Sequence, residues 1–315
     1  MEQASSRAVV VLPGATGEIG GRVARDLAGK VPLRLLSRDL GRAESAAASL
    51  RTADPAAPDG PSGPAAAVDV GVADYSDPNA ELAMRGADVL LMVSAAEAAD
   101  RLESHRTFID AAARAGIRHV VYTSFFGAAP DAVFTLGRDH FHTEEHLRAS
   151  GMDWTILRDN FYQDVFPEFV GADGVLRGPA GDGRVAAVAR DDVAACAAVV
   201  LKEAAAALDA GRRSAHAGRT YNLTGPEAFT LAEACAAITT LMGRSAAFHN
   251  ETLDEAYASR AGYRAEPWQV DAWVSTYTAI ASGRLSETTN DVHELLGRHA
   301  QSLAHTLARA SANKG

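Results

Sequence analysis

The chain has 315 residues, of which 47% are hydrophobic, and its formal net charge is −10. This length suits one large domain or two small ones, and the negative charge argues against a nucleic-acid partner. No apolar run reaches the length that spans a bilayer, and the first residues, MEQASSR, lack the pattern of a secretory signal. We therefore expect a globular cytoplasmic protein with no membrane partner.

The first elements in chain order are a strand, a glycine-rich turn, a helix and a second strand. Residues 9–12 are an apolar run, which predicts a buried parallel strand. Gly14, Gly17 and Gly20 follow with the spacing G-x-x-G-x-x-G, and apolar residues then recur at helical spacing until Gly29. Residues 33–36 predict the next strand, which completes a βαβ unit.

The glycines in this turn have a mechanical interpretation. Without side chains the backbone can approach a diphosphate, and the following helix offers N–H groups and a positive dipole end to the anion. Gly20 additionally allows the helix to pack closely on the strand. A glycine-rich turn without a ligand is the alternative. The predicted dinucleotide contacts are Gly14, Thr16, Gly17, Glu18 and Ile19.

The end of the second strand bears on the choice of cofactor. NAD-binding folds usually carry an acidic residue there, bonded to the ribose 2′-hydroxyl, whereas this chain has Ser37 and Arg38. A guanidinium suits a 2′-phosphate, which predicts NADP(H). Two alternatives remain open: Asp39 could be the acidic residue shifted along the chain, and Arg38 could be an ordinary solvated charge.

Strands and helices continue to alternate as far as residue 158. After a helix at 41–50 and a proline- and alanine-rich loop at 54–64, the pattern predicts strands at 68–72, 88–94, 118–124 and 154–158, and helices at 101–115 and 138–150. This alternation predicts an α/β fold with a Rossmann-type, doubly wound parallel sheet. Ligands bind beyond the carboxyl ends of such strands. The cofactor residues predicted at that rim are Arg38, Asp74, Tyr75, Ser94, Ala95 and Ser124.

Beyond Arg158 the pattern changes. It predicts a short helix at 160–170 broken by Pro167, a hairpin over 174–189, a helix at 191–207, an exposed loop at 211–219, a strand at 221–223, and helices at 231–242, 253–261, 267–282 and 290–310. We therefore expect an NADP-binding Rossmann domain at residues 1–158. A smaller, mainly helical substrate-binding cap is expected at 159–315, with residues 191–225 returning to the main sheet.

A set of ordered segments carries a family resemblance: GATGEIG, LSRD, ADY, VVYTS, DHFHTEEHLRASG, DWTILRDNFYQD, GPAGDGRVAAVARDDVA, YNLTG and DVHELLGR. Together they resemble the NmrA-like atypical short-chain dehydrogenases, and within that family the bacterial type-2 NAD(P)H:quinone oxidoreductases. The resemblance implies NADPH binding, flavin-free hydride transfer to a quinone or similar conjugated carbonyl, and, in many members, a homodimer. This chain departs from the family in the loop at 54–64, near Arg212 and in the helix from Pro267.

The Tyr-x-x-x-Lys dyad of the classical short-chain dehydrogenases is absent. The resemblance places the tyrosine position at Leu136 and the lysine position at His140. In the classical enzymes the lysine lowers the pKa of the tyrosine for proton transfer. Quinone reduction needs less help, because a hydroquinone anion is a far weaker base than an alkoxide. The absence of the dyad therefore argues against an ordinary alcohol dehydrogenase.

Candidate residues for the chemistry follow the predicted strands. His140 is a candidate acid or orienting donor because imidazole titrates near neutral pH; a helix histidine with satisfied hydrogen bonds is the alternative. Phe126, Phe161 and Tyr162 are predicted to contact a flat substrate, with Tyr162 also assigned to catalysis; core packing is the alternative. A non-catalytic NADP(H) sensor and an NADPH-dependent reductase that tailors a natural product remain alternative functions.

No metal site is predicted. Residues 142–146 match H-x-x-E-H, in which two histidines share a helix face and could bind zinc. That helix, however, lies between two strands of a parallel sheet, where the zinc-protease fold does not place it, so a solvated polar face is expected. Cys196 and Cys235 match no metal or redox spacing and are predicted to be small buried residues in a reducing cytoplasm.

Overall fold

The computed structural model describes residues 7–52 and 67–312. The loop predicted at 54–64 lies outside the described residues. The strands are β1 (Val10–Pro13), β2 (Leu33–Ser37), β3 (Val68–Val72), β4 (Val89–Met92), β5 (His119–Phe125), β6 (Asp153–Asp159), β7 (Val175–Gly178), β8 (Arg184–Val185), β9 (Arg219–Leu223), β10 (Phe229–Thr230) and β11 (Ala247–Asn250). The helices are α1 (Glu18–Leu27), α2 (Leu40–Thr52), α3 (Glu81–Met84), α4 (Arg101–Ala115), α5 (Thr135–Ala149), α6 (Phe166–Phe169), α7 (Arg190–Asp209), α8 (Leu231–Met242), α9 (Leu253–Arg260), α10 (Pro267–Ala281), α11 (Asp291–Leu296) and α12 (Leu303–Ala312).

A seven-stranded sheet has the order β3-β2-β1-β4-β5-β6-β9. Val10 of β1 pairs in parallel with Leu33 of β2 on one side and with Val89 of β4 on the other. Chain order thus reverses beside β1, which makes the carboxyl end of β1 the topological switch point where ligands bind in open α/β sheets. The predicted α/β fold with a Rossmann-type parallel sheet and a helical C-terminal region is confirmed.

The sequence explains the centre of this sheet. Every residue of β1, β4 and β5 is buried, as expected for a parallel sheet that is covered by helices on both faces. Helix α1 contributes Ile19, Val23 and Leu27 at helical spacing, and each of these side chains is buried. Among the described residues, no helix combines the length and apolarity needed to cross a membrane.

The chain divides into two compact units. The first unit consists of Met1–Thr123, Thr143–Leu157 and Ala194–Tyr221, and the second of Ser124–His142, Arg158–Val193 and Asn222–Gly315. The assignment of an NADP-binding domain to 1–158 and a substrate cap to 159–315 stays a prediction.

The hairpin predicted over 174–189 is wrong. Strand β7 pairs in parallel with β11, and β8 pairs antiparallel with β10. The glycines of the turn serve another contact, since a Cβ at Gly183 would lie 2.4 Å from the backbone oxygen of Ile280 in α10. The Gly-Asp-Gly segment therefore marks a turn and a close approach to a helix, while the partner strand β11 was not predicted.

Two helix predictions in the second unit need correction. Pro167 does not break a helix over 160–170: a 3₁₀ turn at Gln163–Val165 precedes α6, and Pro167 lies in the first turn of α6, where its missing N–H costs nothing. The continuous helix predicted at 290–310 is two helices, because Gly297 ends α11 with a left-handed φ of 66°.

The loop at 211–219 is only partly exposed, contrary to the prediction. Ser214 and His216 are buried. The imidazole Nδ1 of His216 is 2.8 Å from the hydroxyl of Tyr221, and Thr155 donates a hydrogen bond to the carbonyl oxygen of His216 at 2.8 Å. These hydrogen bonds draw an otherwise polar segment into the first unit.

Candidate functional site

The loop between β1 and α1 forms the turn that the glycine spacing predicts. Gly14 adopts a φ of 69°, in the region that favours glycine, and its carbonyl oxygen accepts the N–H of Gly17 at 2.8 Å. Gly17 is the N-cap of α1. The structure therefore places Gly14, Thr16 and Gly17 on an exposed loop, and Glu18 and Ile19 in the first helical turn, where N–H groups favour an anion.

Gly20 lies against the backbone of Gly14 in this loop. A Cβ at Gly20 would lie 2.4 Å from the oxygen and 2.8 Å from the carbonyl carbon of Gly14, and a Cβ at Gly17 would lie 3.2 Å from the same oxygen. The loop can rest this closely on α1 only because residue 20 is glycine, and a side chain at residue 17 would also be tight. The result is a backbone surface at the helix N-terminus that suits the diphosphate of a dinucleotide.

Arg38 extends from the end of β2 into solvent. Its side chain is 83% exposed, and its Nε lies 3.8 Å from Oδ2 of Asp74. An exposed pair at this distance contributes little to stability, so the guanidinium can turn toward an anionic ligand at low cost. Hydrogen bonds from Ser76, and to a lesser extent the charge of Arg38, hold the pKa of Asp74 below its usual value.

Asp39 has a structural role at the start of α2. Its Oδ1 accepts the backbone N–H of Arg42 at 2.9 Å, so Asp39 caps the N-terminus of α2. Its own N–H is bound by the hydroxyl of Ser37 at 3.2 Å. This commitment weakens the alternative in which Asp39 is the acidic ribose ligand of an NAD-specific protein.

Tyr75 links the end of β3 to the end of β4. Its hydroxyl donates to the carbonyl oxygen of Val93 at 2.7 Å, and its ring stacks on Phe108 with centroids 4.2 Å apart. Burial raises the pKa of Tyr75 above its usual value. Tyr75 is therefore a neutral, fixed side chain beside Asp74 at the carboxyl end of the sheet.

The loop after β4 is held by a buried histidine that the sequence analysis did not select. The N–H of Ser94 donates to Oγ1 of Thr123 at 3.0 Å, and the N–H of Ala95 donates to Nε2 of His105 at 2.9 Å. The Nδ1 of His105 is 2.9 Å from Oγ1 of Thr143. Both predicted cofactor residues on this loop, Ser94 and Ala95, thus have their backbone positions fixed from α4, α5 and β5.

The tautomer of His105 follows from these partners. A backbone N–H can only donate, so Nε2 of His105 accepts and the ring proton lies on Nδ1, which donates to Thr143. Burial, followed by the charge of Arg101, lowers the pKa of His105 to about 3. Arg101 in turn donates from Nε to the carbonyl oxygen of Ala95 at 2.9 Å. The only sequence signal was a histidine on the apolar face of a predicted helix.

The second unit contains an aromatic cluster of Phe125, Phe134 and Phe161. The ring centroids of Phe125 lie 4.8 Å from Phe134 and 5.0 Å from Phe161, and those of Phe134 and Phe161 are 5.2 Å apart. The ring of His140 is 6.2 Å from Phe125 and buried. The structure therefore brings His140 and Phe161, both predicted for the substrate site, to the same cluster.

Phe126 and Ser124 are more deeply buried than Phe161. Phe126 belongs to the hydrophobic core of the second unit, and its N–H donates to the carbonyl oxygen of Asp159 at 2.8 Å. Ser124 is fully buried in β5. Their predicted contacts with substrate and cofactor stay predictions.

Tyr162 is bound to a carboxyl group that the sequence analysis did not select. The hydroxyl of half-buried Tyr162 donates to Oδ2 of Asp159 at 2.6 Å. Asp159 is 5% exposed, and burial raises its pKa to about 7. The guanidinium carbon of Arg190 lies 5.2 Å from the centroid of the Tyr162 ring, which fixes the ring from the other side.

The side chains of the H-x-x-E-H pattern on α5 have separate environments. His142 is exposed, whereas Nε2 of His146 is 2.7 Å from Oδ1 of Asp110. Glu145, the glutamate of the pattern, is exposed and pairs with Arg148 at 2.8 Å, and its buried neighbour Glu144 pairs with the same arginine at 2.9 Å. Within residues 7–52 and 67–312, no group of three or more histidine, cysteine, aspartate or glutamate side chains is placed to hold a metal. Cys196 and Cys235 are buried free thiols, as predicted.

The fold and the glycine loop define a class of protein. A parallel sheet with its switch point at β1, followed by a glycine turn at a helix N-terminus, is the arrangement of dinucleotide-binding proteins. The chain belongs to the NAD(P)H-binding family, whose model matches residues 14–204.

Two characterised relatives match almost the whole chain. It is 28% identical over 307 residues to quinone oxidoreductase 2 of Escherichia coli (strain K12), covering 95% of this chain and 98% of the relative. It is 26% identical over 302 residues to the NAD(P)H azoreductase of Xenophilus azovorans, covering 94% of this chain and 96% of the relative.

Two solved structures also match almost the whole chain. The NADPH-dependent quinone oxidoreductase of Escherichia coli complexed with NADPH superposes with a TM-score of 0.79 at 28% identity, covering 96% of this chain and 99% of that one. The Citrobacter sp. triphenylmethane reductase complexed with NADP(H) gives a TM-score of 0.78 at 25% identity, covering 96% and 100%. The predicted resemblance to the NmrA-like proteins and to the type-2 quinone oxidoreductases is confirmed.

Proposed function

We propose that this protein is an NADPH-dependent oxidoreductase that reduces a small-molecule quinone or similar conjugated carbonyl without a flavin. The main support for the proposal is the predicted cofactor site in the first unit. Its glycine loop can approach a diphosphate, and exposed Arg38 stands at the end of β2 while Asp39 is committed to a helix cap. Charge and a bidentate fork suit Arg38 to a 2′-phosphate.

The substrate class is inferred from the relatives and from the aromatic side chains. The relatives are named for the reduction of quinones, azo compounds and triphenylmethane dyes, all of them conjugated electron acceptors. In the second unit, Phe161 and Tyr162 are half-buried, so part of each ring is available to stack on a flat acceptor. We assign Phe126, Phe161 and Tyr162 to substrate binding, and His140 to orientation of the substrate.

The roles of the chain's own residues follow from their positions. NADPH, when bound, supplies the hydride that reduces the acceptor. Thr16, Glu18 and Ile19 are assigned to hold its diphosphate through backbone N–H groups, and Gly14 and Gly17 let the loop approach it without side chains. Its remaining contacts come from residues that follow β2, β3 and β4 or lie in β5: Arg38, Asp74, Tyr75, Ser94, Ala95 and Ser124.

A cofactor-oxidation assay tests the proposal. Purified protein is mixed with NADPH and a panel of quinones, enones and simple ketones, and the loss of NADPH absorbance is followed. We expect oxidation with quinones, weaker oxidation with ketones, and a loss of rate at limiting NADPH in Arg38→Ala. Arg212→Ala, at an exposed arginine beyond the C-terminal end of α7, removes the same charge elsewhere and should behave as the wild type.

The same assay separates the alternative functions. Tight NADPH binding without oxidation by any acceptor would replace the enzyme with a non-catalytic NADP(H) sensor. Oxidation by enones only would favour a reductase that tailors a natural product.

Compartment and assembly belong to the proposal as well. Two buried free thiols, Cys196 and Cys235, suit a reducing compartment, and we assign the protein to the cytoplasm. A homodimer is expected from the family resemblance and is checked by light scattering of the purified protein.

A further inference from the structure

Asp159 is a buried carboxyl group at the end of a sheet strand. It is the last residue of β6, and its exposed fraction is 5%. Within the described part of the chain, its side chain forms no ion pair; its hydrogen-bond partner is the hydroxyl of Tyr162 at 2.6 Å. A buried carboxylate without a cation is costly, so such a group tends to hold a proton instead.

The charged groups around this pair do not remove that cost. Arg190 lies over the ring of Tyr162, 5.2 Å from its centroid, and its backbone N–H is bound by Asp164 at 2.9 Å. Burial raises the pKa of Asp159 to about 7, against the opposing effect of the hydrogen bond from Tyr162. Burial and the neighbouring Asp159 raise the pKa of Tyr162 well above its usual value, so its hydroxyl stays protonated.

The two side chains differ in access to solvent. Tyr162 is half-buried and Asp159 is almost fully covered, so Tyr162 is the more exposed of the two side chains. Tyr162 is fixed by its bridge to Val188 and by Arg190. It follows half-buried Phe161 directly in the chain and lies just beyond the carboxyl end of β6, the edge where open α/β sheets bind ligands.

We propose that Tyr162 donates the proton that completes substrate reduction, and that Asp159 then returns a proton to the Tyr162 oxygen. These two proton transfers are called the relay below. When Asp159 is protonated, its O–H can donate to the Tyr162 oxygen, which frees the phenol O–H for the substrate. This inference rests on the proposed function. Tyr162 is the group that touches the substrate, and Asp159 acts through it as a positioning residue.

The step balances in atoms and electrons. The acceptor gains two electrons and one hydrogen with the hydride from NADPH, which becomes NADP⁺. The phenol O–H bond of Tyr162 breaks as its proton forms a new O–H bond on the reduced substrate oxygen. The Asp159 O–H bond breaks as its proton restores the phenol, and the resulting carboxylate takes a proton from solvent before the next turnover.

The test compares two variants with a matched pair of controls. Tyr162→Phe removes the donor, and Asp159→Asn keeps an oxygen acceptor for Tyr162 while removing the exchangeable proton. Tyr257 and Asp271 form a similar Tyr–Asp hydrogen bond of 2.9 Å, and Tyr257 is exposed. Tyr257→Phe and Asp271→Asn therefore serve as controls that should leave activity unchanged.

We expect kcat to fall about 10- to 100-fold in both variants, the range of general-acid effects, with a larger loss for ketones than for quinones. The limb of the kcat–pH profile near neutral pH should disappear in Asp159→Asn. NADPH affinity, measured by fluorescence titration, should stay within about twofold of the wild type, because neither side chain is assigned to the cofactor.

A second measurement does not depend on turnover. A carboxyl group whose pKa is raised in the fold, from 3.8 to about 7, destabilises the fold as pH rises through that range, because only the unfolded chain ionises there. The wild type should therefore lose stability relative to Asp159→Asn between these two pH values. A parallel course of the two stability curves would show that Asp159 holds no proton at neutral pH, and would overturn the relay.

The outcomes separate the relay from the proposed function. An active wild type with unchanged kcat and pH profile in both variants overturns the relay alone. A wild type that reduces no acceptor overturns the proposed function and the relay together. Loss of activity in the two variants but not in the controls, together with the predicted stability curves, establishes the relay.

Discussion

The Nε2 atom of His105 accepts a hydrogen bond from the backbone N–H of Ala95 at 2.9 Å. The histidine lies on α4 and the alanine on the loop after β4, so the contact joins a helix to the carboxyl edge of the sheet. Its geometry fixes the ring as neutral, with the Nδ1 proton donated to Thr143. The shape of this loop therefore depends on an uncharged imidazole, together with Thr123 and Arg101.

Replacing His105 should weaken cofactor binding without touching the cofactor. In His105→Ala the N–H of Ala95 loses its partner, which costs about 1–3 kcal/mol when the group is buried, and the loop relaxes to find one. Binding must then restore the loop, so we expect the Kd of NADPH to rise about tenfold. Isothermal titration calorimetry measures this change.

Two further variants make the His105 result specific. His105→Gln offers an amide oxygen to Ala95 and should recover most of the affinity, whereas a simple loss of packing would not be rescued. His305→Ala, at an exposed histidine, should leave the Kd unchanged. Equal affinity of the wild type and His105→Ala would show that the loop keeps its shape without the imidazole.

Buried neutral histidines should make the fold acid-sensitive. Burial lowers the pKa of His105 to about 3 and that of His119 to about 4, from 6.5. The unfolded chain therefore binds protons below pH 6.5 that the folded chain does not, and stability falls as pH decreases from 6.5 toward those values. Each group contributes a slope of up to about 1.4 kcal/mol per pH unit in that window.

Urea unfolding at a series of pH values checks this prediction. The double variant His105→Gln, His119→Gln should show a flatter decline between neutral pH and pH 4, and His305→Gln should follow the wild type. Asp159 contributes the opposite slope, since its pKa is raised to about 7, so the histidine effect is clearest in an Asp159→Asn background. An Asp159→Asn curve with no decline toward acid would contradict the neutral assignment of both histidines.

Arg38 should decide between the two nicotinamide cofactors. A charge-assisted contact with the 2′-phosphate contributes about 1.5–3 kcal/mol, or about one to two decades of affinity. We expect NADPH to bind more tightly than NADH, and the gap to shrink in Arg38→Ala. Asp39→Ala should lower the melting temperature through the lost α2 cap and leave the NADPH preference in place. Equal affinities for both cofactors in the wild type would refute the assignment of Arg38.

The sequence predicts those parts of the fold in which burial imposes a local pattern of residue types. Strands β1 and β4 are apolar throughout because helices cover both faces of the sheet, and the glycine spacing marks a turn wherever it occurs. The pairing of β7 with β11 leaves no such pattern. Residue 175 of β7 pairs with residue 247 of β11, and the strand preference of either segment does not show which distant segment it will pair with.

The candidate site also contains some residues that the sequence predicts and others that it does not. Arg38 and the loop glycines were predicted because their residue types act directly on a ligand. His105 and Asp159 were missed, since their chemistry comes from burial by elements far away in the chain. A sequence shows that a carboxyl or imidazole is present, and only packing shows which of its atoms are already bound.

The second unit contains two candidate proton sources, His140 and the pair formed by Tyr162 and Asp159. Its buried ring lies 6.2 Å from Phe125, which packs on Phe161. If His140 orients the substrate while Tyr162 and Asp159 supply the proton, His140→Ala should lower kcat by about tenfold and keep the neutral limb of the kcat–pH profile. Steady-state kinetics over a pH series measures kcat and its pH profile.

His142→Ala, at an exposed histidine two positions along the same helix, is the matched control and should change neither quantity. Loss of the neutral limb in His140→Ala, with the limb intact in Asp159→Asn, would move the proton source to His140. Unchanged kcat with every accepted substrate would leave His140 as a packing residue of the Phe125 cluster, and substrate reduction would then depend on positioning by the aromatic rings.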